Sequence, residues 1–404
     1  MPPNRNALAR RTVLLGAGGL AAAASLPRAA SAQAAPLKIG LFLEYTGGSS
    51  GTTSESVQFG VDLAIAQINA AGGVAGRRLT RVVADTQTDA TVGVGEMKRL
   101  VLQEKVDVVI GPVISQIQMA SAPVLNQANI ASFGSTGSLA ITPQTAPYYF
   151  STLVSADAQA RSMVTYAIET LGAKSAAVLS DEGAQAKDFV QALRREAGAR
   201  GLKLTATQEF KYRDIDMTPQ LLSLERSTPD TLFLFASSGE DAGNVLKGLD
   251  EIGWDPKVTG NWTIGTFADT VVSIAGADAL KNVVGSNYAG FTYCPGKGEP
   301  PLFLDFVVKA KASDPAGFDR ISHTMAAIFF DVVMLFKAAV EGTGGKTDGP
   351  SVAAWIEQNG KGFSGIAGPV SPSAASHFLY GPSSLAIIHP EKRGPAGTQE
   401  RLAC

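Results

Sequence analysis

Residues 37–75 read LKIGLFLEYTGGSSGTTSESVQFGVDLAIAQINAAGGVA. The run 37–43, LKIGLFL, is apolar almost throughout, as expected of a strand buried on both faces. Val57, Val61, Ala64, Ile65 and Ile68 follow at helical spacing, which predicts a helix over about 55–71. Gly72-Gly73-Val74-Ala75-Gly76 ends it, a helix C-cap running into a turn. The same alternation continues outward: strand 79–84, helix 91–104, strand 106–110, helix 116–127 and strand 130–133. After about residue 155 it begins again with helix 158–171, strand 175–180, helix 184–200, strand 202–208, strand 231–236, helix 240–252 and strands 257–260 and 282–288. Helices at 301–312, 322–341 and 350–358 follow, and Gly-rich residues 359–373 read as linker. Strands alternating with helices mean parallel sheets covered on both faces. Two such runs predict an α/β chain of two Rossmann-like, doubly wound lobes.

Composition supports that size. The chain has 404 residues, 45% hydrophobic and 17% charged, with 43 Gly and 21 Pro. This is long for one core and suits two domains, and the apolar content excludes disorder. A formal charge of −2 gives no reason to expect a nucleic-acid partner. Three histidines and two cysteines exclude His/Cys-rich zinc modules and a disulfide-dense scaffold.

The N-terminus reads as a targeting segment. Arg5, Arg10 and Arg11 precede the apolar, Ala- and Gly-rich stretch 12–26, and Ala30-Ser31-Ala32 and Ala32-Gln33-Ala34 supply A-x-A cleavage sites. The Arg10-Arg11 pair resembles a twin-arginine signal. Residues 1–34 are therefore expected to be a cleaved signal peptide, with the mature protein starting near Gln33 or Ala35. The stretch is short and weakly hydrophobic for an anchor, no cysteine follows it to mark a lipoprotein, and no later stretch reads as a span. Its removal deletes four arginines and no acid, taking the formal charge from −2 to −6. In an oxidising compartment outside the cytoplasm, Cys294 and Cys404 could pair. Cys404 is the last residue of a polar tail, so the sequence leaves that pairing open.

In open α/β sheets, ligands sit beyond the carboxyl ends of the strands. The loops there, 44–54, 111–117, 134–139, 181–185, 236–240 and 261–266, are rich in Gly, Ser and Thr and poor in His and Lys. They suit a cleft of hydroxyls and backbone amides. Catalytic motifs fail their tests. Gly47-Gly48-Ser49-Ser50-Gly51 matches G-x-S-x-G by letters but lacks the tight strand-to-helix turn of a nucleophile elbow. Gly345-Lys346-Thr347 has Val340 where a phosphate loop needs glycine. Asp85 and Asp89 read as turn residues and helix caps rather than metal ligands, and Glu240-Asp241 as residues that favour a helix dipole. His323 reads as an ordinary helix histidine. Trp262, beyond a strand end between polar neighbours, is a cleft candidate. No cofactor, metal site or catalytic residue is expected.

Taken together, the strand, the T-G-G loop, the helix ending Ile68-Asn69 and the following A-G-G resemble the opening of the branched-chain amino acid binding proteins, periplasmic components of ABC importers. DVVIGP (107–112), Gly134-Ser135-Thr136 and Ala289-Gly290 extend the likeness over almost the whole mature chain. The resemblance implies two lobes joined by three crossovers and closing on a ligand. Lobe one would be 37–153 plus 292–362, and lobe two 154–291 plus 363–404. It implies no catalysis, a monomer, and permease subunits in the membrane as partners. A sensory ligand-binding protein of the same fold and an enzyme are the rival classes.

By position the resemblance places the ligand carboxylate on the hydroxyl of Ser115 and on Thr136, Gly137 and Ser138 of the next loop. Fixed donors in a cleft hold an anion well. In lobe two it places Ala184 and Ser238 where the family often has aromatics, and Trp262 where the family has the acid that takes an ammonium. A Trp offers a π-face and one N–H but no anion. These departures lead us to expect a carboxylate-bearing ligand with an uncharged body, aromatic or otherwise, against Trp262. The alternative is an aliphatic amino acid, its ammonium met by Glu44, Asp181 or Glu240.

Overall fold

The computed structural model describes residues 35–48 and 51–404. The expected signal segment and Ser49, the letter-match nucleophile, lie outside the described residues.

Two sheets form the frame. The first holds β1 (Leu37–Leu43), β2 (Leu79–Asp85), β3 (Val108–Ile110), β4 (Ala131–Gly134) and β5 (Tyr149–Ser151) in the order β2-β1-β3-β4-β5. All its pairs are parallel, with β1 and β2 registered from Leu37 opposite Leu79 to Leu43 opposite Asp85. The second holds β6 (Ser175–Asp181), β7 (Lys203–Phe210), β8 (Thr231–Phe235), β9 (Val258–Gly260), β10 (Val283–Tyr288), β11 (Thr292–Tyr293), β12 (Leu385–Arg393) and β13 (Gln399–Arg401). Its order is β11-β13-β12-β10-β9-β8-β6-β7. β6 to β10 are parallel, whereas β12 runs antiparallel to both β10 and β13. Each sheet carries its own apolar packing, and the result is the two-lobed α/β architecture that the strand–helix alternation predicts.

The late helices belong to the first sheet. His323–Gly342 packs along the Thr52–Ala70 helix, closely enough that a side chain at Gly60 would collide with the Ala326 backbone. By length and composition His323–Gly342 could cross a membrane, but most of its apolar residues between Met325 and Val340 are buried inside the fold.

Three stretches carry the chain between the sheets, and they lie side by side. Tyr288 at the end of β10 donates its hydroxyl proton to the Thr152 carbonyl at 2.6 Å. The Tyr288 ring stands 4.7 Å from that of Tyr380. Residues 377–379 add to the edge of β5 through Ser151 N–H to the His377 carbonyl, 2.9 Å, and Leu379 N–H to the Ser151 carbonyl, 2.8 Å. Two expected boundaries therefore shift. β11 joins the second sheet, two residues past the expected return to lobe one, and the segment expected to enter lobe two at 363 stays with the first sheet to about 380. A disulfide joins Cys294, just after β11, to Cys404, with Cα atoms 5.9 Å apart. The pairing that the sequence left open is thus formed.

Candidate functional site

The carboxyl ends of both sheets face one narrow cavity, nearly filled by its own side chains, with a volume of about 10 Å³. Thr53, Val113, Ser135, Leu153 and Met325 line it from the first lobe, and Gln185, Phe235, Ser237 and Trp262 from the second. Two of its polar groups are buried without partners: Ser135 Oγ and Gln185 Nε2. A buried donor left unmade costs free energy, so paired groups are the rule. Orphans on opposing walls of one cavity at the strand ends make it the candidate site.

Beside them stands the Ser115–Ala128 helix. Its N-cap, Ile114, supplies no side-chain bond to the first turn, and Ser115 Oγ is itself buried and unpaired. Free N–H groups, the positive end of the helix dipole and a hydroxyl make this corner suited to an anion.

The other wall is set by two side chains. Asp181 ends β6 and accepts the Gly183 N–H at 2.9 Å and the Ser237 N–H at 2.7 Å, so one buried carboxylate fixes two cleft loops. Burial pushes its pKa up to about 7. Asn261 clamps the ends of β8 and β9, donating to the Ala236 carbonyl at 3.1 Å and to Thr263 Oγ1 at 3.2 Å. This holds Trp262 at the start of a short helix, 6% exposed, its ring 6.0 Å from that of Phe267.

No ionisable side chain lines the cavity. Glu44, just beyond β1, comes near it in the chain. It is wholly buried, accepts the Val113 N–H at 3.3 Å through Oε2, and leaves Oε1 unpartnered. Burial pushes its pKa up to about 8, so it is neutral at pH 7.

The expected site residues divide. Trp262 lines the cavity. Ser115 is buried and unpaired two residues from the lining residue Val113. Gly137 abuts the Gln185 amide so closely that any side chain there would collide with it. Thr136 turns its hydroxyl to Tyr149, 2.8 Å away, and lines a separate cavity with Tyr149 and His377. Ser138 gives its proton to Asp188 at 2.6 Å. Ser238 caps the Gly239–Ile252 helix, accepting from Asp241 N–H at 3.1 Å and donating to its carboxylate at 2.9 Å. Ala184 opens the Ala184–Ala199 helix next to Gln185. Three lining residues, Ser135, Gln185 and Ser237, are thus immediate neighbours of expected ones. Thr53 lies in the 44–54 loop but is not singled out within it, and Val113, Leu153, Phe235 and Met325 have apolar side chains that give no polar signal.

Other sequence readings find their places. Asp89 caps the Ala90–Lys98 helix through the N–H groups of Thr91 and Val92. Asp85 binds the loop after β1 through the Tyr45 and Thr46 N–H groups and accepts the Gln87 N–H within its own turn. His323 bonds the Phe318 carbonyl and stacks on its ring. No group of three or more metal-ligating side chains occurs among the described residues.

Comparison with known proteins shows the same two-lobed fold in other chains. The Leu/Ile/Val-binding protein BraC3 of Rhizobium johnstonii is 22% identical over 360 residues, 86% of this chain and 88% of its own. The branched-chain amino acid transporter substrate binding protein LivJ of Streptococcus pneumoniae, solved with isoleucine, superposes with a TM-score of 0.75 at 21% identity, over 90% of this chain and 97% of that one. An ABC transporter solute binding protein of R. palustris, solved with 4-hydroxybenzoate, superposes with a TM-score of 0.76 at 18% identity, over 90% and 95%. Residues 36–392 match the family model described as periplasmic binding protein, and the chain belongs to that family.

Proposed function

We propose that this protein is the solute-binding component of an ABC importer, and that its solute is a small carboxylate with an uncharged, aromatic or otherwise apolar body. The observation that carries this reading is the pair of orphaned donors, Ser135 Oγ and Gln185 Nε2, on opposing walls of a cavity lined by no ionised group. The carboxylate takes the anion corner: Ser115, Ser135 and the first turn of the Ser115–Ala128 helix. The body lies against Trp262, Phe235, Leu153 and Met325, where apolar burial and ring contacts hold it. Gln185 reads a polar group of the solute from lobe two.

An α-amino acid brings an ammonium as well, and a buried unpaired charge is prohibitive. Neither acid lines the cavity, and burial pushes both toward the neutral form, Asp181 up to about 7 and Glu44 up to about 8. The lining therefore favours an uncharged body over an aliphatic amino acid, although the names of several relatives point to leucine, isoleucine and valine. Glu44 would have to ionise for such a ligand.

Residues 1–34 are removed on export in this account, and the mature chain works in the periplasm. There the solute shifts the lobes toward the closed form, because the contacts from both lobes exist only when they meet. The closed form is then presented to membrane permease subunits. A thermal-shift screen of the mature chain over amino acids, aromatic carboxylates and other small organic acids tests the ligand class. A bound solute raises the midpoint with concentration. A rise with the carboxylates supports the reading, and a rise with leucine and valine alone overturns it.

A further inference from the structure

Two carboxylates of lobe two, each in the N-terminal part of a helix, reach across to lobe one outside the cavity. Asp188, on the Ala184–Ala199 helix, accepts the Ser138 hydroxyl at 2.6 Å and the Leu139 N–H at 2.9 Å through the same oxygen. Leu139 also packs against the apolar cluster that includes Phe189, Val190 and Leu193 of that helix. The loop after β4 is thus held to lobe two by charge and by burial together.

Glu240, at the start of the Gly239–Ile252 helix, makes the second crossing. Its Oε1 accepts the Thr52 hydroxyl at 3.0 Å and the Thr52 N–H at 3.4 Å. Thr52 begins the Thr52–Ala70 helix, whose N-cap is Gly51, with no side chain to satisfy the first turn. A side chain at Gly51 would stand 2.8 Å from Glu240 Oε1. The glycine therefore clears the approach of a cap that comes from the other lobe. A carboxylate at a helix N-terminus is favoured by the dipole as well as by the hydrogen bonds.

We propose that Asp188 and Glu240 are affinity-setting latches: they touch no solute, but their hydrogen bonds to Ser138, Leu139 and Thr52 hold the lobes together and so fix how far the closed form is populated, with or without ligand. The inference rests on reading the cavity as a solute trap that opens and closes. Charge-assisted bonds of this kind are worth enough that losing one latch lowers the closed-to-open ratio about tenfold. Apparent solute affinity falls by the same factor once the closed form is the minor one, because only the competent fraction binds.

The test is small-angle X-ray scattering of the mature chain without ligand, comparing the wild type, Asp188→Ala, Glu240→Gln and the double variant, with Lys187→Ala as a control on the exposed side of the same helix. The radius of gyration should grow with each lost latch and most in the double variant, while the control superposes on the wild type. Ser138→Ala and Thr52→Val remove the partner hydroxyls from the opposite lobe and should reproduce the effects, and the Ser138→Ala/Asp188→Ala pair should open the protein no further than Asp188→Ala alone. These partners keep the test valid should a carboxylate variant fold poorly, as its circular dichroism and thermal midpoint would reveal. Superposable profiles for wild type and well-folded variants overturn the proposal. Since no solute is present, this result is independent of the screen for ligand: a protein that binds none of those compounds still opens or does not open when the latches are cut.

Discussion

Ser135 and Gln185 are the residues on which the binding account turns. Each presents a buried polar atom with no partner in the protein. Replacing either by a side chain without that group should therefore leave folding nearly unchanged, since no internal bond is lost. Ser135→Ala and Ser115→Ala should each weaken solute binding by about 1–3 kcal/mol, the range for a hydrogen bond to a charged group. Calorimetry on the screened ligand checks this, and unchanged affinity removes that serine from the site. Glu44 makes a different prediction. Its carboxyl, ordinarily near 4.5, is pushed up to about 8 by burial. The folded protein thus holds a proton there that the unfolded chain releases above 4.5. The resulting stability is full below pH 4.5 and is lost as pH rises through about 8, by up to about 1.4 kcal/mol per pH unit. Glu44→Gln keeps the acceptor for Val113 and cannot ionise. Its advantage over wild type in urea unfolding should grow from pH 5 to pH 8, and a constant difference across that range would show that Glu44 does not titrate there.

At the scale of elements, Ser238 separates two roles that the sequence could not. Its loop borders the cavity, but its hydroxyl belongs to the Gly239–Ile252 helix. Ser238→Ala should cost about 1 kcal/mol of stability through the lost cap and leave the order of ligand preference unchanged. A changed preference would return Ser238 to the cavity. The same example shows what was legible. Each cleft loop could be found from strand ends alone, and the cavity lining lies one residue from three of the expected positions: Ser237 beside Ser238, Gln185 beside Ala184, Ser135 beside Thr136. Neighbouring side chains point in different directions, to opposite sides in extended backbone and about 100° apart on a helix, so a strand end locates the loop but not which of two neighbours lines it. The long strands and helices were readable from their periods. β12 was not, because LAIIHPEKR mixes partly exposed apolar residues with Pro390 and lacks a clean alternation. The helix expected over 91–104 is α-helical only to Lys98 and widens to a π-helix over Arg99–Glu104, before Lys105 turns left-handed at φ 55°. Nothing in the apolar spacing marks that change.

For the whole molecule, two lobes and their connections determine the behaviour. Tyr288, Thr152 and Tyr380 hold the three connecting stretches side by side, and the disulfide joins Cys294, just after β11, to Cys404 across a sequence separation of 110. A crosslink over so long a loop restricts the unfolded chain. Its removal by Cys294→Ser with Cys404→Ser should cost about 2–4 kcal/mol, read as a lower thermal midpoint. An unchanged midpoint would mean that the C-terminal strand is held by its hydrogen bonds alone. The lobes themselves were foreseeable from alternating strands and helices, whereas the late return to lobe two, near 380 rather than 363, depends on three residues pairing with β5 across the fold and left no local signal.

The most direct test of the central claim is a calorimetric titration of the mature chain with 4-hydroxybenzoate and related aromatic carboxylates alongside L-leucine. The account predicts one-to-one binding of at least one carboxylate without an ammonium group, weakened in Ser135→Ala, and no comparable binding of leucine. Micromolar leucine binding with no response to the carboxylates would contradict it.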